Sequence, residues 1–90
     1  MSAHRTLVVA RYHPDGRIEE GPERMTLEEL QKAVGGYIEL VPCILKRRML
    51  IANEDGIGLG LAVNAQASRL VSPPTLMHAG LRGVVLLVVG

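Results

Sequence analysis

The sequence has 90 residues, with ten Lys and Arg against nine Asp and Glu and a formal net charge of +1. That length holds one core and leaves no room for a second, so a single domain over 1–90 is expected. So balanced a charge excludes a DNA mimic, which is strongly acidic, and it disfavours a nonspecific nucleic-acid binder, which carries a basic stripe.

In chain order, Thr6 to Tyr12 is rich in β-branched residues and ends at His13-Pro14-Asp15-Gly16. Pro presets φ and Gly tolerates positive φ, so this is a turn, and Arg17 to Glu20 returns as the second strand of a hairpin. Gly21 and Pro22 are expected to break the chain. Thr26-Leu27-Glu28-Glu29 is a capping box, and Met25 and Leu30 stand at the two positions of a hydrophobic staple. Leu27, Leu30 and Val34 share one face, while Glu28, Glu29 and Lys32 point outward. Gly35 supplies the left-handed stop, so a helix is predicted over 27–34.

Tyr37 to Val41 is predicted as a strand ended by Pro42, with Cys43-Ile44-Leu45 extending it beyond a bulge. Lys46-Arg47-Arg48 turns the chain, and Met49 to Ala52 is the next strand. Asn53-Glu54-Asp55-Gly56 is a second turn, and Gly58 and Gly60 keep the following stretch irregular. Asn64 caps a short helix running to about Val71, stopped by Ser72-Pro73-Pro74. A loop with Met77, His78 and Gly80 leads to Val84 through Val89. That last run is apolar at every position, so it is expected to be buried on both faces and central in the sheet. The expected class is α+β: a small mixed sheet in the order ββαββαβ, β-grasp-like, with the last strand beside the first.

The stretch from Leu27 to Glu39, with its helix followed by Gly35-Gly36-Tyr37-Ile38-Glu39, resembles the signature of a known family. So do Asn53-Glu54-Asp55-Gly56, then Gly60-Leu61-Ala62-Val63-Asn64 with Ala67 and Leu70, and the closing Gly83 to Gly90. The family is domain of unknown function 3846, small proteins of phages and other bacterial mobile elements. The resemblance implies an accessory protein and brings no known activity, catalytic residue or cofactor. Ala62-Val63 stands where family members often have a proline before the asparagine.

The candidate sites carry two readings each. Gly56-Ile57-Gly58-Leu59-Gly60 lacks the spacing of a dinucleotide loop and the Lys of a Walker loop, so it reads as a flexible turn. Its weaker reading is a small anion pocket formed with Asn64. His4, His13 and His78 show no metal-ligand spacing, and Cys43 has no C-x-x-C partner, so no metal and no cofactor are expected. A Cys43 nucleophile with His78 as base is outweighed by the apolar neighbours of that thiol. Glu19, Glu20 and Glu23 read as a solvated face, with a metal or acid/base role for paired carboxylates as the weaker reading. Lys46, Arg47 and Arg48 form the basic cluster, a solvated tip or, helped by Arg69 or Arg82, a phosphate contact. Gly35-Gly36 reads as a helix stop; its other reading is a close approach of a ligand or partner backbone to Tyr37, which shares a strand face with Glu39.

The candidate binding residues are therefore Tyr37, Glu39, Lys46, Arg47, Arg48, Asn53, Asn64 and Arg69, with no catalytic set. Tyr12 and Tyr37 are the only aromatic residues, too few for stacking platforms that hold single strands. Single Cys43 excludes an internal disulfide, and the apolar runs are too short for a signal peptide or a membrane helix, so a cytoplasmic protein is expected. Apolar residues beyond what so small a core absorbs predict a homodimer or higher oligomer. The expected function is non-enzymatic binding of a host protein or a small anionic ligand, in counter-defence or regulation. The alternative is a nucleic-acid-binding regulator using Lys46 to Arg48, and a small hydrolase ranks third.

Overall fold

The structure is a computed structural model that describes residues 4–72 and 80–90. Strands β1 (Thr6–Tyr12) and β2 (Ile18–Met25) pair as the predicted hairpin. Its turn is closed by the His13 amide on the Arg17 carbonyl at 2.8 Å and by Asp15 Oδ1, which accepts from the Arg17 amide at 2.9 Å. Helix α1 (Leu27–Val34) follows with the predicted bounds. Then come β3 (Ile38–Pro42), β4 (Arg48–Asn53), the short helix α2 (Ala65–Ser68) and β5 (Val85–Val89).

The five strands form one sheet in the order β2-β1-β5-β4-β3. The last strand lies beside the first and in the centre, as its apolar composition requires. Every neighbouring pair is antiparallel, so strand directions are not mixed. The crossover explains this: α1 carries the chain from β2 on one edge to β3 on the other. The two edges therefore run the same way, and directions alternate across all five strands.

The sheet is buried on both faces. Under α1 lie Val8, Met25, Leu30, Val34, Ile51, Leu86 and Val88. The opposite face, under α2, holds Val41, Leu50, Ala67, Val71, Leu81, Val85 and Leu87. β5 thus sends Val85 and Leu87 into one core and Leu86 and Val88 into the other, all 6% exposed or less. Full burial of one such side chain contributes about 1.5–3 kcal/mol, so β5 holds both layers together.

Gly21 and Pro22 do not break the chain, contrary to the sequence expectation. They lie inside β2 at a register shift opposite Val8 and Ala10. A proline is tolerated there because β2 is an edge strand with no outer neighbour to receive an amide. Gly21 is required by close approach, since a Cβ would press into the Val8 carbonyl oxygen. The same irregularity puts Val8 in one core and Ala10 in the other.

The start of α1 is fixed as its capping box predicts: the Glu29 amide donates to Thr26 Oγ1 at 3.2 Å, and Glu29 Oε1 accepts from the Thr26 amide at 2.9 Å. Gly35 ends it at φ 82. α2 is shorter than expected. After Ser68 the chain tightens, with the Leu70 amide on Ala67 and the Val71 amide on Ser68, and Val71 then bridges to Cys43. Cys43 and Ile44 do extend β3, but against this segment rather than against β4. The proposed helix stop at Pro73-Pro74 and the Met77 and His78 loop lie outside the described residues. Among the described residues, no helix is long and apolar enough to cross a membrane.

Candidate functional site

The eight predicted site residues fall into separate places. At one end of the sheet are the end of α1, the start of β3 and the end of β4. Tyr37 stands there 72% exposed, and Glu39 is also exposed. Asn53 is buried beneath them and internally satisfied: its Nδ2 donates to the Val34 carbonyl at 3.1 Å, and its Oδ1 accepts from the Asp55 amide at 2.8 Å. It ties the last turn of α1 to β4. Gly36 is glycine because a Cβ would sit 2.9 Å from Asn53 Nδ2.

Asn64 is fully buried and equally committed. Its Nδ2 donates to the carbonyls of Tyr12 and Gly83, both at 2.9 Å, and its Oδ1 accepts from the Ala67 amide at 3.2 Å. One side chain therefore joins the end of β1, the approach to β5 and the start of α2. Asn64 thus spends both Nδ2 hydrogens and its oxygen inside the fold, whereas Asn53 also lines a cleft.

Beside Glu39 is a small cleft of about 110 Å³ with Asn53, Glu54, Asp55, Ile57 and Arg82 on its walls. Three carboxylates face one guanidinium there. The adjoining Gly56–Gly60 turn spends the amides of Gly56, Leu59 and Gly60 on carbonyls of its own chain.

The basic residues occupy the opposite end. Lys46 and Arg47 are exposed in the tight turn between β3 and β4, with Arg47 at φ 57. Arg48 is half-buried and donates to the Arg47 carbonyl at 3.1 Å. The Ile44 amide bonds to the Leu70 carbonyl, so exposed Arg69 lies toward this same end. Among the described residues, none of these four cations pairs with a carboxylate.

The acidic residues of β2 are partly neutralised. Glu23 pairs with Arg11 at 3.1 Å, and Glu19 bonds His13 across the hairpin. The hydrogen bond from His13 holds the Glu19 carboxyl below its ordinary value. The Thr26 backbone amide does the same for Glu29. Cys43 is half-buried, with its Sγ accepting from the Leu45 amide at 3.4 Å; His78, its conceivable base, lies outside the described residues. Among the described residues, no three His, Cys, Asp or Glu side chains cluster to hold a metal ion.

A further opening, largely apolar, is not among the predicted sites. A groove of about 350 Å³ crosses the strands beneath the first turns of α1, from Thr6 on β1 to Ile38 and Leu40 on β3. Leu27 and Leu30 form its wall, and Met49, Ile51 and Val88 its floor. It exists because α1 is short. Eight residues make a rod about 12 Å long, whereas five strands span about 19 Å. Leu27 and Leu40 stay 54% and 61% exposed as a result.

The family described as Domain of unknown function (DUF3846) matches residues 7–89. The chain belongs to that family. The match takes in both cores, most of the groove lining and all eight predicted residues of this DUF3846 domain. No curated protein and no solved structure matches the chain.

In this DUF3846 chain the groove was hidden from sequence reading for a definite reason. Leu27 stands on the apolar face of α1 by periodicity, yet it is 54% exposed, and Leu40 on β3 is 61% exposed. Exposure of this kind depends on how far the helix covers the sheet, which local periodicity does not carry.

Proposed function

We propose that the chain is a non-catalytic binding protein that recognises a protein partner through the apolar groove between α1 and β3. The observation that carries this reading is the exposure of Leu27 and Leu40 on either side of a continuous apolar floor. Scattered exposed leucines are ordinary, but contiguous apolar surface with a concave shape is the usual mark of a docking site. A small anionic ligand has less support, because the Gly56–Gly60 turn is flanked by Glu54 and Asp55. The setting we propose is the bacterial cytoplasm, with the protein carried by a phage or other mobile element and acting on a host protein in counter-defence or regulation.

Leu27→Glu together with Leu40→Glu tests this. Both positions are exposed, so stability is expected to stay within roughly 0.5 kcal/mol of the parent for each. Native mass spectrometry of protein purified from its host is expected to show a stoichiometric protein partner with the parent and none with the double variant. A partner retained equally by both would overturn the groove reading. A homo-oligomer is the other use of such a surface, and the same spectra report it.

A second reading has its own observation: Lys46, Arg47 and Arg69 are exposed at one end without carboxylate partners. A nucleic-acid-binding regulator would use them on phosphates. It predicts duplex binding whose logarithm falls with log salt by about 0.9 per phosphate contacted, a slope made shallower when Lys46, Arg47 and Arg48 are all changed to Ala. Association that is indifferent to salt and to this triple change removes it.

A further inference from the structure

We infer that the groove's partner is an extended peptide segment, added as a further strand along the outer edge of β3 at Ile38 and Leu40 with aliphatic side chains at alternate positions. This rests on the groove being a protein-binding site and goes further, to the form of the ligand.

The backbone of β3 sets that form. In an antiparallel pair, residues alternate between bonding their neighbour and pointing away from it. The Glu54 amide bonds to the Tyr37 carbonyl, so the odd-numbered residues of β3 turn toward β4. The even-numbered ones turn outward, as the Pro42 carbonyl does when it accepts from the Ser72 amide at 3.0 Å. Ile38 and Leu40 therefore direct their N–H and C=O groups away from the sheet, and among the described residues nothing meets them. Their side chains lie on the α1 face and end the groove. A strand laid along them satisfies those four groups and brings every second side chain to the groove mouth, beside Leu27 and Leu40. At about 350 Å³ the groove is at the small end of the ~300–1,000 Å³ typical of ligand pockets, suited to a few aliphatic side chains.

The two edges of the sheet differ in a way that supports this. β2 is guarded: it carries Glu19, Glu20, Glu23 and Arg24 and is interrupted at Gly21-Pro22, the usual devices against unwanted pairing. β3 has one charge, Glu39, on the opposite face from the groove, and its proline, Pro42, stands at its end beyond Ile38 and Leu40.

A second copy of this chain fits that edge poorly. The self-pairing that uses all four outward groups sets Ile38 against Leu40 of the other copy, and this puts Glu39 directly opposite Glu39, which is destabilising. Sliding the register one way meets Pro42, which has no N–H and whose carbonyl is taken by Ser72. Sliding it the other way meets Gly36, whose amide is already bonded to the Gln31 carbonyl. A stable dimer also needs about 800 Å² from each partner, a large share of a total surface of 5768 Å², while Leu27, Leu40 and Val89 are the large apolar side chains exposed here.

The test is amide exchange and amide chemical shift on the whole chain, with and without a capped seven-residue peptide of alternating leucine and threonine. The control peptide has the same sequence, N-methylated at every residue so that it has no amide to give to a ladder on either edge. The expected result is slowing of exchange at Ile38 and Leu40 by at least tenfold with the first peptide only, and at least tenfold weaker binding to Leu40→Lys. Three results overturn the proposal. Ile38 and Leu40 amides already protected in the protein alone would mean that the edge is paired within the chain. Protection that rises with protein concentration and without peptide would assign the edge to a second copy. Shifts at Leu27, Leu30 and Met49 without protection at Ile38 and Leu40 would remove strand addition while leaving the groove as a binding site. No response at either place removes both readings.

Discussion

A chain ending at Gly83 is expected not to fold: its far-ultraviolet circular dichroism should be that of a disordered polypeptide, with no cooperative thermal transition. Without β5 the remaining strands are two separate hairpins, β1 with β2 and β3 with β4, because β5 alone pairs with both β1 and β4. An isolated two-stranded hairpin is marginal in water, and each would lose the apolar layer that Val85 through Val88 supply to the two faces. The point variant Leu86→Ala grades the same effect. Leu86 is fully buried under α1, and such truncations cost about 2–5 kcal/mol. A cooperative transition in the shortened chain, or a Leu86→Ala variant as stable as the parent, would contradict the central placement of β5.

The second large effect is expected at Asn64. Replacing it with Ala strands three groups at once: the carbonyls of Tyr12 and Gly83 and the amide of Ala67. A buried group left unpaired costs about 1–3 kcal/mol, so the loss should reach at least about 3 kcal/mol. For a domain of this size that corresponds to a fall in Tm of more than about 10 °C. Asn64→Ser keeps an oxygen able to cap α2 and lacks the two donors, so it should regain only the cap, about 1 kcal/mol. Equal Tm values for Ser and Ala would show that the donors, not the cap, carry all of the effect. An unchanged Tm in Asn64→Ala would refute the account of this residue.

Some parts of the fold are legible in the sequence because their chemistry is local, and others are not. α1 was readable to the residue because its start and stop are local chemistry: Thr26 and Glu29 need only each other, and Gly35 only its own φ. β5 was readable because a run with no polar position has no solvent face to offer. Asn64 was correctly marked as a cap, yet its larger task, the bonds to Tyr12 and Gly83, depends on segments far away in the chain. Nothing local announces it. Asn53 was marked for binding and is an internal tie for the same reason. Gly21-Pro22 was misread because the rule against proline in strands assumes an outer neighbour, and only the finished sheet reveals that β2 is an edge. The groove was the least visible feature of all. It is a mismatch between the length of one element and the width of another, and neither element contains it.

The insertion of the last strand between the two hairpins has a kinetic consequence. β5 must find β1 across nearly the whole chain, since Val8 is paired with Val88 and Tyr12 with Val85. Loop closure of that length comes before any reward from the contacts it makes, and folds dominated by such distant pairings form slowly. Until the gap is filled, β1 and β4 each present a bare inner rim of amides and carbonyls to any other extended chain. The same gap that β5 closes is therefore the place where a half-finished molecule would join another, and the slow capture of β5 sets how long that rim stays open.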